Sequence, residues 1–471
     1  MVPARKRDRY QNSRRGTHGI RSGMPPRMVV SILSRSVMAN HRLQSCVYYT
    51  RRRVHARLTQ QERFAWGIAA VLFGGSLINY LDRAVLGVIM PQIRRDLGLT
   101  NQQYGWAVGA FLVAYMVSYV AGGRLADRLG SRRTISITLL FWSAAALSHA
   151  LVTGLTTLSA ARSLLGFGEA AFYPAAMRAA AGWFPSKDRA KAVGLFLSAL
   201  SVGTLITPPI VSSVTSRFGW RAAFLVTGGL GVLLLPSWLW LHRRIRRAYG
   251  TPDPEPAAEA EVLDTSTNEV PLSRVLRNRQ YWCALSARAC SDGAWYFYLF
   301  WMPGYLQEVR GLSLRTVGQL LWMPYLAAGI GALVGAWASS ALIRRGFGLS
   351  SSRKAVLLPS AVLSIIGTAC CVVPGEALIF VLLSVALFGH QSWSSNIHTV
   401  IIEIVPSAHL AVLYGVTRAA GTFMGAVAQL GIGSIVDAVG YRPIFAGVGL
   451  LYAMAAALVI GAGRLDRIRR E

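Results

Sequence analysis

The sequence predicts an all-α membrane protein in which twelve transmembrane helices form two six-helix bundles related by pseudo-symmetry. Three observations predict it. The 471 residues are 53% hydrophobic and 15% charged, against about 25% charged in a typical soluble chain. Apolar runs of about 20 residues, the length that crosses a bilayer as a helix, recur along the sequence. The second half of the chain also repeats features of the first at a fixed distance. Backbone groups in lipid must be bonded internally, so helices are the form these runs take. The short alternating segments of a β-barrel are not seen.

The twelve spans expected from the apolar runs are roughly 64–91, 104–125, 134–153, 156–178, 190–214, 222–241, 281–306, 315–342, 355–374, 377–402, 410–435 and 442–462. The loops after spans 2, 4, 6 and 8 carry RLADRLGSRR (124–133), KDRAK (187–191), RRIRR (243–247) with RVLRNR (274–279), and Arg344, Arg345, Arg353 and Lys354. The end of the chain carries RLDRIRR (464–470). The opposite loops hold only Arg94, Arg95, Arg217, Arg221, Arg310, Arg315 and Arg442. Basic loops stay on the cytoplasmic side, which predicts both termini in the cytoplasm.

The chain holds 49 Lys and Arg against 20 Asp and Glu, a net charge of +29. Such a charge is compatible with nucleic-acid binding, but it sits in short clusters between apolar runs and in a basic start. No nucleic-acid partner is therefore expected; the bilayer is. Residues 1–63 read as a basic N-terminal extension outside the fold. They resemble a transit peptide in composition, and a disordered cytoplasmic tail or an over-extended start (Met24, Met28 or Met38) is the preferred reading. Five cysteines, Cys46, Cys283, Cys290, Cys370 and Cys371, include no CxxC and suggest neither disulfides nor zinc.

Residues 64–241 and 281–462 are the two expected bundles. A cytoplasmic linker, 242–280, separates them, and 463–471 is a cytoplasmic tail. The linker contains PDPEPAAEAEVLDTSTNE (252–269), a flexible composition. The halves align: WFPSKDRA (183–190) with IVPSAHLA (404–411), and FGWRAAF (218–224) with VGYRPIF (439–445). Pro185 and Pro406, Arg221 and Arg442, and Gly194 and Gly415 all stand 221 residues apart. Duplicated six-helix halves are a transporter architecture with the substrate site between them at mid-membrane.

Charges in a bilayer centre are costly and mark function by default. In span 1, Asn79, Asp82 and Arg83 fall on one helical face, with Tyr80 beside them. In span 4, Arg162 and Glu169 are two turns apart. Span 7 has Arg288 and Asp292, and span 11 has Arg418. An arginine grips a carboxylate through two hydrogen bonds, and a carboxylate in low dielectric exchanges protons in the working range. The set suits symport of an organic anion with protons, whereas static ion pairs between helices are the plainer reading. Aromatic residues Trp295, Tyr296, Phe297, Tyr298 and Trp301 crowd span 7 and suit a sugar ring, with Trp295 a candidate contact; packing is the alternative. His390 and His398 of span 10 read as polar packing residues or a proton relay.

GFGEAA (166–171) mimics a dinucleotide fingerprint but lies inside an apolar helix with no strand before it. No HExxH or GxSxG cluster marks an enzyme. The pairs Gly105/Gly109, Gly331/Gly335 and Gly421/Gly425 allow close helix approach. Spans 2 and 8 are expected to face each other across the halves, as are spans 5 and 11.

INYLDR (78–83), GGRLADRLGSRR (122–133), RSLLGFGEAAFYPA (162–175) and WFPSKDRAKAVG (183–194), taken together, resemble the signature series of the anion:cation symporter family of the major facilitator superfamily. ARACSDGAWYFYLFWMPGYLQEVRGLS (287–313) resembles span 7 of its bacterial hexuronate branch. The resemblance runs from about residue 64 to the end. It implies the major facilitator fold and proton-coupled symport of a hexuronate or related sugar acid by alternating access. A carrier of another carboxylate (phthalate-, tartrate- or glucarate-like) or an anion antiporter is the alternative. It implies proton handling by Asp82 and Glu169 with Arg162 as their partner, and a substrate carboxylate held by Arg83. Tyr80, Tyr115 and Trp393 would line the pocket, and Asp127, Arg128 and Arg132 would form a cytoplasmic gating loop. No cofactor beyond the coupling proton, a monomer, and the bacterial inner membrane are expected. Two departures stand out. The loop 338–354 lacks the acid of the corresponding motif, and Leu200 stands between Ser198 and Ser201 where a longer polar residue is common.

Overall fold

In the computed structural model the described residues are 60–184, 186–250, 270–406 and 409–468. Cys46, the candidate starts at Met24, Met28 and Met38, the segment 252–269, Pro185, and Ser407 with Ala408 lie outside them. All regular structure among the described residues is helical, and the described residues from Phe64 onward form one compact unit.

The chain runs through α1 (Gln60–Val88), α2 (Met90–Leu97), α3 (Asn101–Ser148), α4 (Leu155–Ala170), α5 (Phe172–Trp183), α6 (Ser186–Phe218), α7 (Trp220–Tyr249) and α8 (Leu272–Arg277). It continues through α9 (Arg279–Phe300), α10 (Met302–Glu308), α11 (Leu314–Leu320), α12 (Trp322–Arg344), α13 (Leu349–Gly367), α14 (Glu376–Ile404), α15 (Leu410–Val439) and α16 (Arg442–Gly461). Nine helices among the described residues are long and apolar enough to cross a membrane. The three other expected spans are helical too: the first part of α3, the α4–α5 pair and the α9–α10 pair.

The interruptions have one local cause. Helix is broken at Ile89, Ala171, Trp301 and Leu321, each two or three residues before Pro91, Pro174, Pro303 or Pro324. Proline lacks the N–H that would bond the preceding turn, and its ring crowds the carbonyl four residues back. Each span therefore continues after a small bend. Spans 2 and 3 differ from expectation in another way. The basic loop 124–133 shrinks to a single non-helical residue, Gly130, at φ 76 and ψ 165. Only glycine takes that backbone region without strain, so RLADR stays helical to the turn. The start of α3 is fixed by a capping box: the Thr100 hydroxyl accepts the Gln103 amide at 3.1 Å, and the Gln103 side chain accepts the Thr100 amide at 3.0 Å. Helix α7 continues beyond residue 241 to Tyr249, carrying Arg243, Arg244, Arg246 and Arg247 past the apolar run.

Across the halves, α3 packs on α15, and α6 packs on α11 and α12. Span 2 thus faces span 11 and span 5 faces span 8, which corrects the pairing expected from the glycine pairs. The reason lies in what each glycine admits. A Cβ at Gly105 would strike the Gln429 carbonyl of α15. Gly331 and Gly335 instead admit Phe388 and Ser392 of α14, within their own half. Gly421 and Gly425 admit Asp292 and Tyr296 of α9. Apolar side chains such as Leu233, Leu333, Val381 and Leu450 remain exposed on the outer faces. A soluble protein would bury them; lipid covers them at no cost.

Candidate functional site

One face of α1 lies against α3 and α4, and there the charges meet. Asp82, Arg83, Arg162 and Glu169 are 1%, 4%, 0% and 0% exposed. Arg83 donates to Glu169 Oε2 from Nη2 at 2.8 Å and from Nε at 3.3 Å, and to Asn79 Oδ1 at 3.3 Å. Its guanidinium is flanked by the rings of Tyr80 (5.0 Å), Phe111 (5.3 Å) and Tyr115 (4.6 Å). Such ring faces stabilise a desolvated cation.

The pairing differs from expectation. The family resemblance implies Arg162 as the partner of the carboxylates, but Arg83 takes Glu169. All three guanidinium nitrogens of Arg162 and both carboxylate oxygens of Asp82 have no hydrogen-bond partner among the described residues. Arg162 lies 4.6 Å from the Phe111 ring centre and 6.0 Å from that of Phe300. One phenyl ring therefore serves two cations. Position explains the exchange: Arg83 reaches across from α1, whereas Arg162 lies two turns below Glu169 on the same helix. Buried polar groups left without partners are rare and call for a functional account.

Tyr80, Arg83 and Tyr115 open onto a cavity of about 90 Å3 between the halves. Its other wall comes from α9, α14 and α15, with Arg288, Asp292, Trp295, Tyr296, His390, Gln391, Ser394, His398, Arg418 and Thr422; Leu200 of α6 also reaches it. Arg288 Nε donates to Asp292 Oδ2 at 3.3 Å. The Trp295 ring stacks on His390, 5.0 Å between centroids and 9° from parallel. His390 Nδ1 is hydrogen-bonded to the Tyr452 hydroxyl. Asn79 stands behind Arg83 rather than in the cavity wall. Trp393 is fully buried and packs edge-on against Tyr452, away from the cavity wall. Helical geometry accounts for this: Gln391, Ser394 and His398 share the cavity face of α14, and position 393 turns away from it. Of the span 7 aromatics only Trp295 and Tyr296 line the cavity. Phe297 packs on Phe445 at 5.1 Å, and Trp301 donates to Gln429 at 2.6 Å.

The end of the molecule opposite the linker ties the halves together. Arg94 pairs with Glu308 at 2.9 Å and Gln92 donates to Gln307 at 2.8 Å. Gln307 in turn donates to the Val88 carbonyl at 2.9 Å. Asp437 accepts from the Asn101 side chain at 2.7 Å and from the Gln102 amide at 2.9 Å. Nearby, Asp96 accepts from the Trp220 indole at 2.9 Å and from Arg221 at 2.7 Å. These donors hold the Asp96 carboxyl below the usual carboxylate range.

At the linker end, Asp127 is exposed and pairs with Arg178 at 3.1 Å. Arg128 is exposed, and the Arg132 carbonyl accepts from the Trp238 indole at 3.2 Å. The acid that the sequence of the second-half loop lacks is supplied from elsewhere. Arg353, 221 residues after Arg132, donates to both oxygens of Glu403 on α14 at 2.5 and 3.1 Å and to Ser339 at 2.6 Å. Arg353→Ala should cost about 1–3 kcal/mol, as for a lost charge-assisted pair with a partly buried partner. A melting temperature within a degree of the parent would show that the pair contributes nothing.

Residues 72–352 match the family model described as Major Facilitator Superfamily. The chain belongs to that superfamily. It is a multi-pass membrane transporter rather than an enzyme, and its substrate is a small molecule. It is 28% identical over 402 residues to the hexuronate transporter of Escherichia coli strain K12, covering 84% of this chain and 93% of that one. It is also 28% identical over 403 residues to a D-galactonate transporter of Escherichia coli O6:H1, covering 83% and 92%. A probable galactarate/D-glucarate transporter of Bacillus subtilis is 28% identical over 424 residues, covering 86% and 93%. Among solved structures, the transporter superposes on a bacterial homologue of the human lysosomal transporter Spinster with TM-score 0.73 at 17% identity, covering 87% of this chain and 99% of that one. It superposes on a D-xylose–proton symporter with TM-score 0.66 at 16% identity, covering 86% and 98%. These likenesses establish the fold.

Proposed function

We propose that the protein carries a sugar acid, a hexuronate foremost, together with protons by alternating access. The observation that carries the reading is the buried Arg83–Glu169 pair at the cavity edge, flanked by Asp82 and Arg162 without hydrogen-bond partners. Two carboxylates and two guanidiniums balance in charge but not in bonding. A proton delivered to Glu169 cancels its charge and frees the fork of Arg83. That cation, left in low dielectric, then favours an incoming carboxylate. Proton and anion each raise the other's affinity, as linkage requires. The names of the hexuronate and galactonate relatives support the substrate class.

The two bundles, 64–241 and 281–462, rock about the cavity as one monomer in the inner membrane. The Arg-rich linker end lies in the cytoplasm by the same charge rule that oriented the spans. In the described conformation the opposite end is tied shut. Uptake of labelled D-glucuronate, D-galactonate and D-glucarate into proteoliposomes tests the reading. Accumulation of at least one of them should follow an imposed pH gradient and collapse with a protonophore. Uptake that ignores the gradient and requires an anion inside would make the protein an antiporter instead.

A further inference from the structure

We propose that Arg418 of α15 is the guanidinium that anchors the substrate's carboxylate in the described conformation. The proposal rests on the sugar-acid reading and deepens it. Among the described residues, three guanidinium groups reach the cavity: Arg83, Arg288 and Arg418. Each of the first two already faces a carboxylate, although Arg288 Nη1 has no hydrogen-bond partner among the described residues. Arg83 gives Nε and Nη2 to Glu169, and Arg288 gives Nε to Asp292. No carboxylate among the described residues pairs with Arg418. Its charge lies instead among the tyrosines Tyr80, Tyr115, Tyr119 and Tyr414. Phenol oxygens ease the cost of holding a cation there, but they offer no countercharge. A carboxylate presenting two oxygens to the fork would supply it.

The position suits the task. Gly421 and Gly425, three and seven residues beyond Arg418, seat Asp292 and Tyr296 of α9. Close packing of α9 on α15 thus fixes the wall from which Arg418 projects. Tyr80 and Tyr115 belong to the opposite half and line the same cavity. An anion held by Arg418 therefore touches both halves, which a ligand must do to favour one arrangement of them over another. The remaining wall, with Trp295 stacked on His390 beside Asp292, offers a flat apolar face and hydrogen-bonding groups. That is the complement of a hydroxylated carbon chain ending in one carboxylate. The division of labour follows: Arg418 receives the anion first, and Arg83 becomes available only when Glu169 takes a proton.

The test is equilibrium binding of D-glucuronate, D-galactonate and D-glucarate to the purified full-length protein, wild type beside Arg418→Gln and Arg418→Lys. Wild type should bind at least one of the three. Arg418→Gln should weaken that binding about 10- to 100-fold, the usual consequence of losing a charge-assisted contact. Arg418→Lys should recover part of the loss, since it restores the charge without the fork. In counterflow, Arg418→Gln should raise KM far more than it lowers the rate at saturation, a split that a general packing defect would not produce. An unliganded melting temperature close to wild type identifies the variant as folded. If folded Arg418→Gln binds as tightly as wild type, the assignment of Arg418 is overturned and the sugar-acid reading stands. If wild type binds none of the three acids, the sugar-acid reading falls and takes the assignment with it.

Discussion

Glu169→Gln is expected to abolish accumulation while leaving exchange. Glutamine matches the shape of a protonated glutamate and keeps an acceptor for Arg83, but it cannot release or take up a proton. With an imposed two-unit pH gradient, coupling to one proton sustains a substrate gradient of up to about 100-fold, since each pH unit is a factor of ten. In Glu169→Gln that ratio should fall to about one, whereas counterflow of labelled substrate against unlabelled should continue. Loss of the charge-assisted bond to Arg83 should cost about 1–3 kcal/mol of stability, so protein level in the membrane is measured alongside. Asp82→Asn should uncouple as well, and with less harm to folding, because Asp82 has no ion pair to lose and faces only the neutral Thr227 hydroxyl. If both variants keep full proton-driven accumulation, these carboxylates are structural and the symport mechanism is wrong.

The second large effect is expected at Gly105, a residue with no side chain of its own. A side chain there would meet the Gln429 carbonyl and, at 3.5 Å, the Trp301 ring. A backbone carbonyl cannot rotate aside, so Gly105→Leu must push α3 from α15 and keep the halves apart at that end. Overpacking of this kind costs about 1–3 kcal/mol, which changes the balance between two states about 5- to 150-fold. Uptake should drop accordingly. A cysteine placed at Gln92, with the native cysteines replaced, should become readily labelled by an impermeant maleimide. Gly109→Leu is the graded control. Its nearest neighbour is the tip of Leu430 at 3.3 Å, which can swing away, so uptake should stay within about threefold. Equal loss in both variants would mean that the closure of α3 on α15 is not what Gly105 serves.

Much of this architecture was legible in the sequence because membrane helices announce themselves by length and apolarity, and because a duplicated chain repeats its landmarks. The burial of Asp82, Arg83, Arg162 and Glu169 was legible for the same reason: a charge inside an apolar run has nowhere else to go. Their pairing was not. Spacing on one helix joins Arg162 to Glu169, but Arg83 reaches Glu169 from another helix, and no pattern within a single span reports that. The facing of spans 2 and 11, and of 5 and 8, was missed for a related reason. A glycine pair says that something approaches closely and does not name the visitor. Glu403 escaped because Arg353 lies 50 residues before it. Gln391, Ser394 and Thr422 escaped because isolated polar residues in a span give little signal. The spacing of His390, Gln391, Ser394 and His398 did hold a usable one, since it traces a polar stripe down one face of α14.

The clasp that joins Gln92 to Gln307, Arg94 to Glu308 and Asn101 to Asp437 is made of hydrogen bonds. Every one of these groups is as content with water as with its present mate. Hydrogen bonds exchanged for solvent change free energy by only about 0.5–1.5 kcal/mol each, whereas an apolar seam of the same extent would resist wetting along its whole length. Parting these contacts therefore costs only a few kcal/mol. A carrier needs such evenness, because a deep well on either side would trap it there. When the two arrangements lie within a few kcal/mol of each other, the modest affinity of one sugar acid and one proton is enough to decide which of them the molecule occupies.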